Sequence, residues 1–392
     1  MELLDKFSSF FPNLANSQLV AFVLALASSL FFTPLIRERA ITFNLLDKPG
    51  GRHVHKSPVP RLGGVAIYLS LLITSLFFIA LHGRYTPRGF EHFELVGILA
   101  GGTLIFLVGL LDDISPLPAL YKLLVQIISA VVAWFCNVKV LYIVNPLFFL
   151  NLSSSRVLEL DPLISFFVTV GWLVLITNAL NLIDGLDGLA GGVALVVALS
   201  LWAILLDPKI MQPAGALLSA TLAGATMGFL RSNYNPARIF LGDSGAYFLG
   251  FTLGANAVAS LSVNPNTATV GSVVVLAFSF PLLETFFTIT RRFLQNKPVM
   301  QPDAEHIHHK ILKTGLSTKG TMMIIYASCI LLGLIACTIS GSHKRYAILV
   351  LMTLSLGFLS GFWRRGSGDK KAENIIPSKT NLKDNQENTI NA

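Results

Sequence analysis

Ten stretches of this chain, each 16 to 40 residues long, contain no Lys, Arg, His, Asp or Glu. They are Phe7–Ile36, Leu62–Leu81, Leu95–Leu111, Leu123–Val138, Pro162–Ile183, Gly188–Leu206, Ile210–Leu230, Ser244–Leu283, Gly320–Ser342 and Tyr346–Trp363. A helix of roughly 20 apolar residues crosses the hydrocarbon core of a bilayer. Backbone in lipid must satisfy its own hydrogen bonds, so these runs predict helices rather than open strands. The Ser244–Leu283 run is about twice the length one crossing needs. It holds Ser262-Val-Asn-Pro-Asn266 at its middle, a turn signal that divides it into two helices. The expectation is an all-α, polytopic membrane protein with eleven spans. Composition agrees, with 53% hydrophobic and 13% charged residues, against about 25% charged in a typical soluble domain.

Orientation follows from Lys and Arg. With the N-terminus outside, the inward loops and the C-terminal tail hold 21 of the 29 basic residues. The positive-inside rule then predicts an outside N-terminus and a cytosolic C-terminus. The net charge of +8 is mostly a topology signal and partly an attraction for anionic lipid and substrate; it does not point to nucleic acid. Cys136, Cys329 and Cys337 lie in apolar spans without metal or redox spacing and are expected to be packing residues. No basic n-region or small-residue cleavage site precedes the first run, so that helix is expected to remain. Residues 1–365 read as one transmembrane domain. The polar, Asn- and Lys-rich stretch 366–392 reads as a disordered cytosolic tail.

Five polar segments punctuate the apolar chain: Lys48–Gly64, Asp112–Asp113, Asn181–Gly188, Asn233–Gly245 and Asp303–Lys310. Counting crossings places all five on the cytosolic side. There the even-numbered helices begin, with free N–H groups and positive dipole ends that favour phosphate and metal-bound carboxylate. Adjacent Asp112 and Asp113 repel and persist only if solvated or neutralised by a cation. Asn181, Asp184 and Asp187, spaced three apart, share one stripe if helical, with Gly185 and Gly188 leaving room for a ligand. Asp243 is either a helix N-cap or a ligand. Oxygen donors without sulfur suggest Mg²⁺ or Mn²⁺. His306, His308 and His309, beside Lys310 and without a cysteine, suit phosphate or nucleotide better than zinc. Lys56 and Arg61 belong to a basic first inward loop, readable as topology charge or as a phosphate site. Glu284, alone in an apolar run, is a functional candidate by default, expected near the inner rim and paired with an arginine.

From about Asp47 to Gly315 these segments, in order, resemble the polyprenyl-phosphate N-acetylhexosamine-1-phosphate transferases. That resemblance implies transfer of a sugar 1-phosphate from a UDP-amino sugar to polyprenyl (undecaprenyl) phosphate in the bacterial plasma membrane, with release of UMP. It assigns Asp112 and Asp113 to the lipid phosphate. Asn181, Asp184 and Asp187 go to the metal and nucleotide, Asp243 to Mg²⁺, and Lys56 to phosphate. His306, His308 and His309 match the His-x-His-His signature of the N-acetylglucosamine branch. Ile307 departs from the three consecutive histidines of the phospho-N-acetylmuramoyl-pentapeptide transferases, the alternative within the family. A nucleotide-sugar or lipid-linked sugar transporter is the alternative of another class; its site is expected near the midplane. The acceptor, a phosphate monoester with a second pKa near 6, is already mostly nucleophilic at pH 7, so positioning and charge neutralisation are expected to dominate. A covalent aspartyl-phosphate route is the rival mechanism.

Overall fold

A computed structural model describes residues 14–47, 58–81, 92–149, 153–207, 210, 212–261, 271, 274–295 and 306–339. Lys56, the Ser262–Asn266 turn, the expected span Tyr346–Trp363 and the tail 366–392 lie outside the described residues. Within the described residues the apolar runs form helices. In chain order they are α1 (Leu14–Thr42), α2 (Gly63–Leu81), α3 (His92–Ile114), α4 (Ala119–Phe135), the short α5 (Pro146–Phe149) and α6 (Pro162–Leu182). There follow α7 (Leu189–Leu205), α8 (Pro213–Asn233), α9 (Gly242–Leu261), α10 (Ser279–Leu294), α11 (Ile307–Lys313) and α12 (Thr318–Ile339). Among the described residues six stretches are long and apolar enough to cross a membrane: Ser17–Thr42, Gly63–Ala80, Phe93–Ile114, Pro162–Leu182, Pro213–Asn233 and Thr318–Thr338. Ala119–Phe135 and Leu189–Leu205 are apolar but shorter. Two small antiparallel pairs join loops: β1 (Leu46–Asp47) with β2 (Val59–Pro60), and β3 (Tyr142–Val144) with β4 (Val157–Glu159).

Every residue of α7 is buried, and α9 is close to that along Ala246–Leu253. A helix apolar on all sides must be surrounded by others, and α9 packs against α2, α3, α6, α7 and α8. Large apolar side chains on the outer helices face away from the protein, among them Phe31, Leu76, Leu107, Phe135 and Phe167. That surface needs lipid as its solvent.

Lipid supplies no hydrophobic force between helices, so small residues that let backbones meet carry much of the packing. A Cβ at Gly224 of α8 would lie 2.1 Å from the Phe22 carbonyl oxygen of α1. The same arrangement recurs where α9 starts. A Cβ at Gly64 of α2 would lie 2.2 Å from Gly245 N, and one at Gly109 of α3 would lie 2.5 Å from Ser244 Cα. A short ladder completes the junction. Phe240 N donates to Pro60 O (2.7 Å), Gly63 N to Phe240 O (2.9 Å) and Gly64 N to Leu241 O (2.8 Å). The glycines of Arg61-Leu-Gly-Gly64 therefore dock one backbone against another.

The helix that carries Glu284 departs from the expected span. It runs on through Arg291 and Arg292 to Leu294. Its polar face, with Glu284, Thr285, Thr288 and Arg292, is buried, whereas Leu283, Phe286, Phe287 and Phe293 are exposed. This inverted amphipathicity suits a helix with protein on one side and acyl chains on the other.

Gly64→Ala is expected to lower the melting midpoint in detergent strongly, because the methyl meets backbone that cannot yield, whereas Gly171→Ala, with nothing within 4 Å of its Cβ, should be neutral or slightly stabilising by up to about 1 kcal/mol. Equal midpoints for the two variants would show that the α2–α9 junction tolerates separation.

Candidate active site

Four helix ends converge on the start of α9. Asp113, at the end of α3, places one carboxylate oxygen 2.8 Å from Asp243 N. The other lies 3.1 Å from Ser244 N and 2.6 Å from Ser244 Oγ. It caps α9 from another helix, satisfying N–H groups that have no intrahelical partner. Gly242 makes the approach possible: its φ is +76°, and a Cβ there would lie 2.3 Å from Arg61 O and 2.5 Å from Asp113 Oδ2. Asp112, its neighbour, faces elsewhere. Its Oδ1 accepts from Leu117 N (2.6 Å), closing the turn into α4, and its Oδ2 accepts from Lys122 Nζ at 3.0 Å.

Lys122 also donates to Asp243 Oδ2 at 3.4 Å, while Asn181 Nδ2 at the end of α6 donates to Asp243 Oδ1 at 3.1 Å. Asp112, Lys122, Asp243 and Asn181 thus form a chain of polar contacts across α3, α4, α9 and α6. Lys122 and Asp243 each keep a fifth of the side chain exposed. Sequence reading placed Lys122 only among the inward basic residues. Its signal was position: it lies in the first turn of α4, where the helix dipole disfavours a cation unless acids stand nearby.

The Asn181–Gly188 segment does not continue as one helical stripe. The helix ends at Leu182, and Gly188 takes φ +81° before α7. Asn181 therefore reaches Asp243, while Asp187 turns to the far loop, where its Oδ2 accepts from Asn235 Nδ2 (3.0 Å) and Ala237 N (2.9 Å). Gly188 O in turn accepts from the buried Tyr326 hydroxyl of α12 at 2.6 Å. Asp184, between them, accepts no hydrogen bond from any described residue. It is reachable from outside yet closely surrounded by protein. Burial, then the charges of Asp243 and Asp113, push its carboxyl up to about 8, against a partial offset from Arg61. The Arg61 side chain lies 4.0 Å from Asp47 Oδ1.

The histidine segment is held separately. Glu284, fully buried on α10, accepts from Ile307 N at 2.8 and 3.1 Å and sits 3.1 Å from His306 Nδ1. It caps α11 and orients His306, with Thr288 Oγ1 3.3 Å from the same ring nitrogen. The expected arginine partner is replaced by this imidazole and a helix N-terminus. His308 and His309 are on α11, but their side chains lie outside the described residues.

Among the described residues no three acidic, histidine or cysteine side chains are arranged to hold a metal ion. Mg²⁺ does not require such a cage, since it keeps several waters and binds through one or two carboxylates plus substrate phosphates. The Lys122 ammonium marks where a cation already sits between Asp112 Oδ2 and Asp243 Oδ2. Those two carboxylates offer hard oxygen donors, and the amide oxygen of neighbouring Asn181 accepts no hydrogen bond among the described residues. The residues present fit a hard divalent ion.

Comparison with known proteins gives the family. Residues 95–261 match the family model described as glycosyl transferase family 4. The chain is similar to the probable undecaprenyl-phosphate N-acetylglucosaminyl 1-phosphate transferase of Bacillus subtilis, at 35% identity over 78% of this chain and 80% of the relative. It is 33% identical to the decaprenyl-phosphate N-acetylglucosaminephosphotransferase of Mycobacterium tuberculosis, over 76% of each chain. It is 29% identical to the undecaprenyl-phosphate alpha-N-acetylglucosaminyl 1-phosphate transferase of Thermotoga maritima, over 88% of this chain and 98% of the relative. These matches define a phosphotransferase, here one with several helices long and apolar enough to cross a membrane. The chain belongs to glycosyl transferase family 4.

A carboxyl whose pKa in the fold, about 8, exceeds its ordinary 3.8 keeps a proton that the unfolded chain releases. The fold is therefore favoured below about pH 4 and loses that advantage as pH rises towards 8. In chelator, the melting midpoint is expected to fall between pH 5 and 8, and Asp184→Asn should flatten the decline. Identical slopes for both proteins would show that Asp184 is ionised throughout.

Proposed function

We propose that this chain transfers N-acetylglucosamine 1-phosphate from the UDP-sugar to undecaprenyl phosphate, releasing UMP and starting cell-envelope polysaccharide assembly. The reaction takes place at the cytosolic rim of the bacterial plasma membrane. Supporting this reading is one observation above others: Asp112, Asp113, Asn181, Asp184, Asp243 and Lys122, from separate helix ends, meet at the start of α9. A transporter has little use for such a cluster at a rim. The relatives' names supply the substrates. We place the N-terminus outside, with eleven spans and a C-terminal tail in the cytosol, because 21 of the 29 basic residues then lie inward.

In this reading the chain's own residues position, neutralise and expose. Asp113 braces the start of α9 and so sets where Asp243 stands. Asp243 and Asn181, with Asp112 and Asp184 beside them, would hold Mg²⁺ or Mn²⁺. A bound ion of this kind neutralises the diphosphate and stabilises the departing UMP. Lys56, Arg61 and the histidines of α11 bring positive or hydrogen-bonding groups to the phosphates and nucleotide. The acceptor phosphate needs little help from a base, so Asp112 orients it at most. The prenyl chain lies against the apolar outer helices.

Purified protein with Mg²⁺ and undecaprenyl phosphate, offered a panel of UDP-sugars, is expected to release UMP with UDP-N-acetylglucosamine and not with UDP-N-acetylmuramoyl-pentapeptide. Asp243→Asn should cut that rate about 10²-fold or more while the protein stays folded. Turnover of the pentapeptide donor instead would move the chain to the neighbouring branch. Cysteine labelling that put positions 113 and 243 on opposite faces of the membrane would end the reading.

A further inference from the structure

Lys122 is the cation that already stands among the carboxylates. Its Nζ lies 3.0 Å from Asp112 Oδ2 and 3.4 Å from Asp243 Oδ2, the same lone pairs a divalent ion would take. Two cations cannot share them, because like charges within about 4 Å repel strongly once water is partly excluded. The ammonium has somewhere to go. It ends a flexible four-carbon stem, it is a fifth exposed, and it starts from the first turn of α4, where the dipole favours its departure toward an anion. The groups around it are tied by other bonds. One turn deeper, Gln126 of α4 and Asn178 of α6 exchange two hydrogen bonds, at 2.6 and 3.3 Å, and Leu117 N holds Asp112 from the loop side.

We infer that Lys122 is a built-in counter-ion: it keeps Asp112 and Asp243 together before the divalent ion arrives, and is displaced by that ion towards the acceptor phosphate. The inference rests on the transfer reading for its last step only. Without Lys122, Asp112 and Asp243 would present uncompensated charge to an incoming ion and bind it too readily, while the acceptor would lose a partner. Lys122 is thus a positioning residue before the donor binds and a substrate contact afterwards.

The test uses the full chain in detergent with Mn²⁺ alone, its binding followed by the electron paramagnetic resonance of the free ion. Lys122→Met is expected to tighten Mn²⁺ binding about tenfold or more, to raise KM for undecaprenyl phosphate and to lower kcat. Lys122→Arg, which keeps the charge, should bind Mn²⁺ as weakly as the wild type. Unchanged or weaker Mn²⁺ binding in the methionine variant would overturn the inference. Should that variant not fold, the native chain carries the test: acetic anhydride should modify Lys122 faster when Mn²⁺ is bound, and an equal or slower rate overturns it. Tighter Mn²⁺ binding in a protein that never releases UMP would keep the counter-ion and discard the transfer reading.

Discussion

Asp113 meets the first N–H groups of α9 where no intrahelical partner exists for them. One carboxylate from α3 accepts three bonds there, from two backbone nitrogens and the Ser244 hydroxyl. In a membrane protein an uncapped helix end beside apolar surroundings is costly, since each unsatisfied group loses water without replacement. The cap therefore decides where α9 begins. With it come Asp243, one residue inside the helix, and the Gly64 and Gly109 contacts that draw α2 and α3 onto the same point. Position at this site is set by backbone before any side chain chooses a rotamer.

Charge balance is the second constraint. Asp112, Asp113, Asp184 and Asp243 gather near one lysine and one partly exposed arginine. Among the described residues the acids outnumber these cations, and a divalent ion would offset that negative charge. The same economy shapes α10, whose polar face turns inward. Glu284 is stabilised by the N-terminus of α11 and by His306, so one buried acid both closes a helix end and aims an imidazole.

The apolar runs predicted most of the helices, because a bilayer imposes a length and forbids open backbone. The polar segments were legible as a group: Asp112 meets Asp243 through Lys122, and Asn181 meets Asp243 directly. Their individual roles were not. Asp113 and Asp187 read as equals of their neighbours, yet Asp113 caps α9 and Asp187 secures the Asn235–Ala237 loop. The expected Asn181–Asp187 stripe was broken because the helix ends at Leu182, and Gly188 then takes a left-handed turn before α7. Lys122 was hidden among topology charges, since its meaning depends on Asp243, 121 positions away.

By itself the chain determined that it would be a bundle of membrane helices with polar groups at their ends, because hydropathy and the alternation of crossings are properties of linear order. Which carboxylate braces a helix, which pairs with a lysine and which stands unpartnered among the described residues was decided only in three dimensions. Those differences arise from hydrogen bonds and charges across residues remote in sequence, whose strength depends on distance and burial that linear order does not contain.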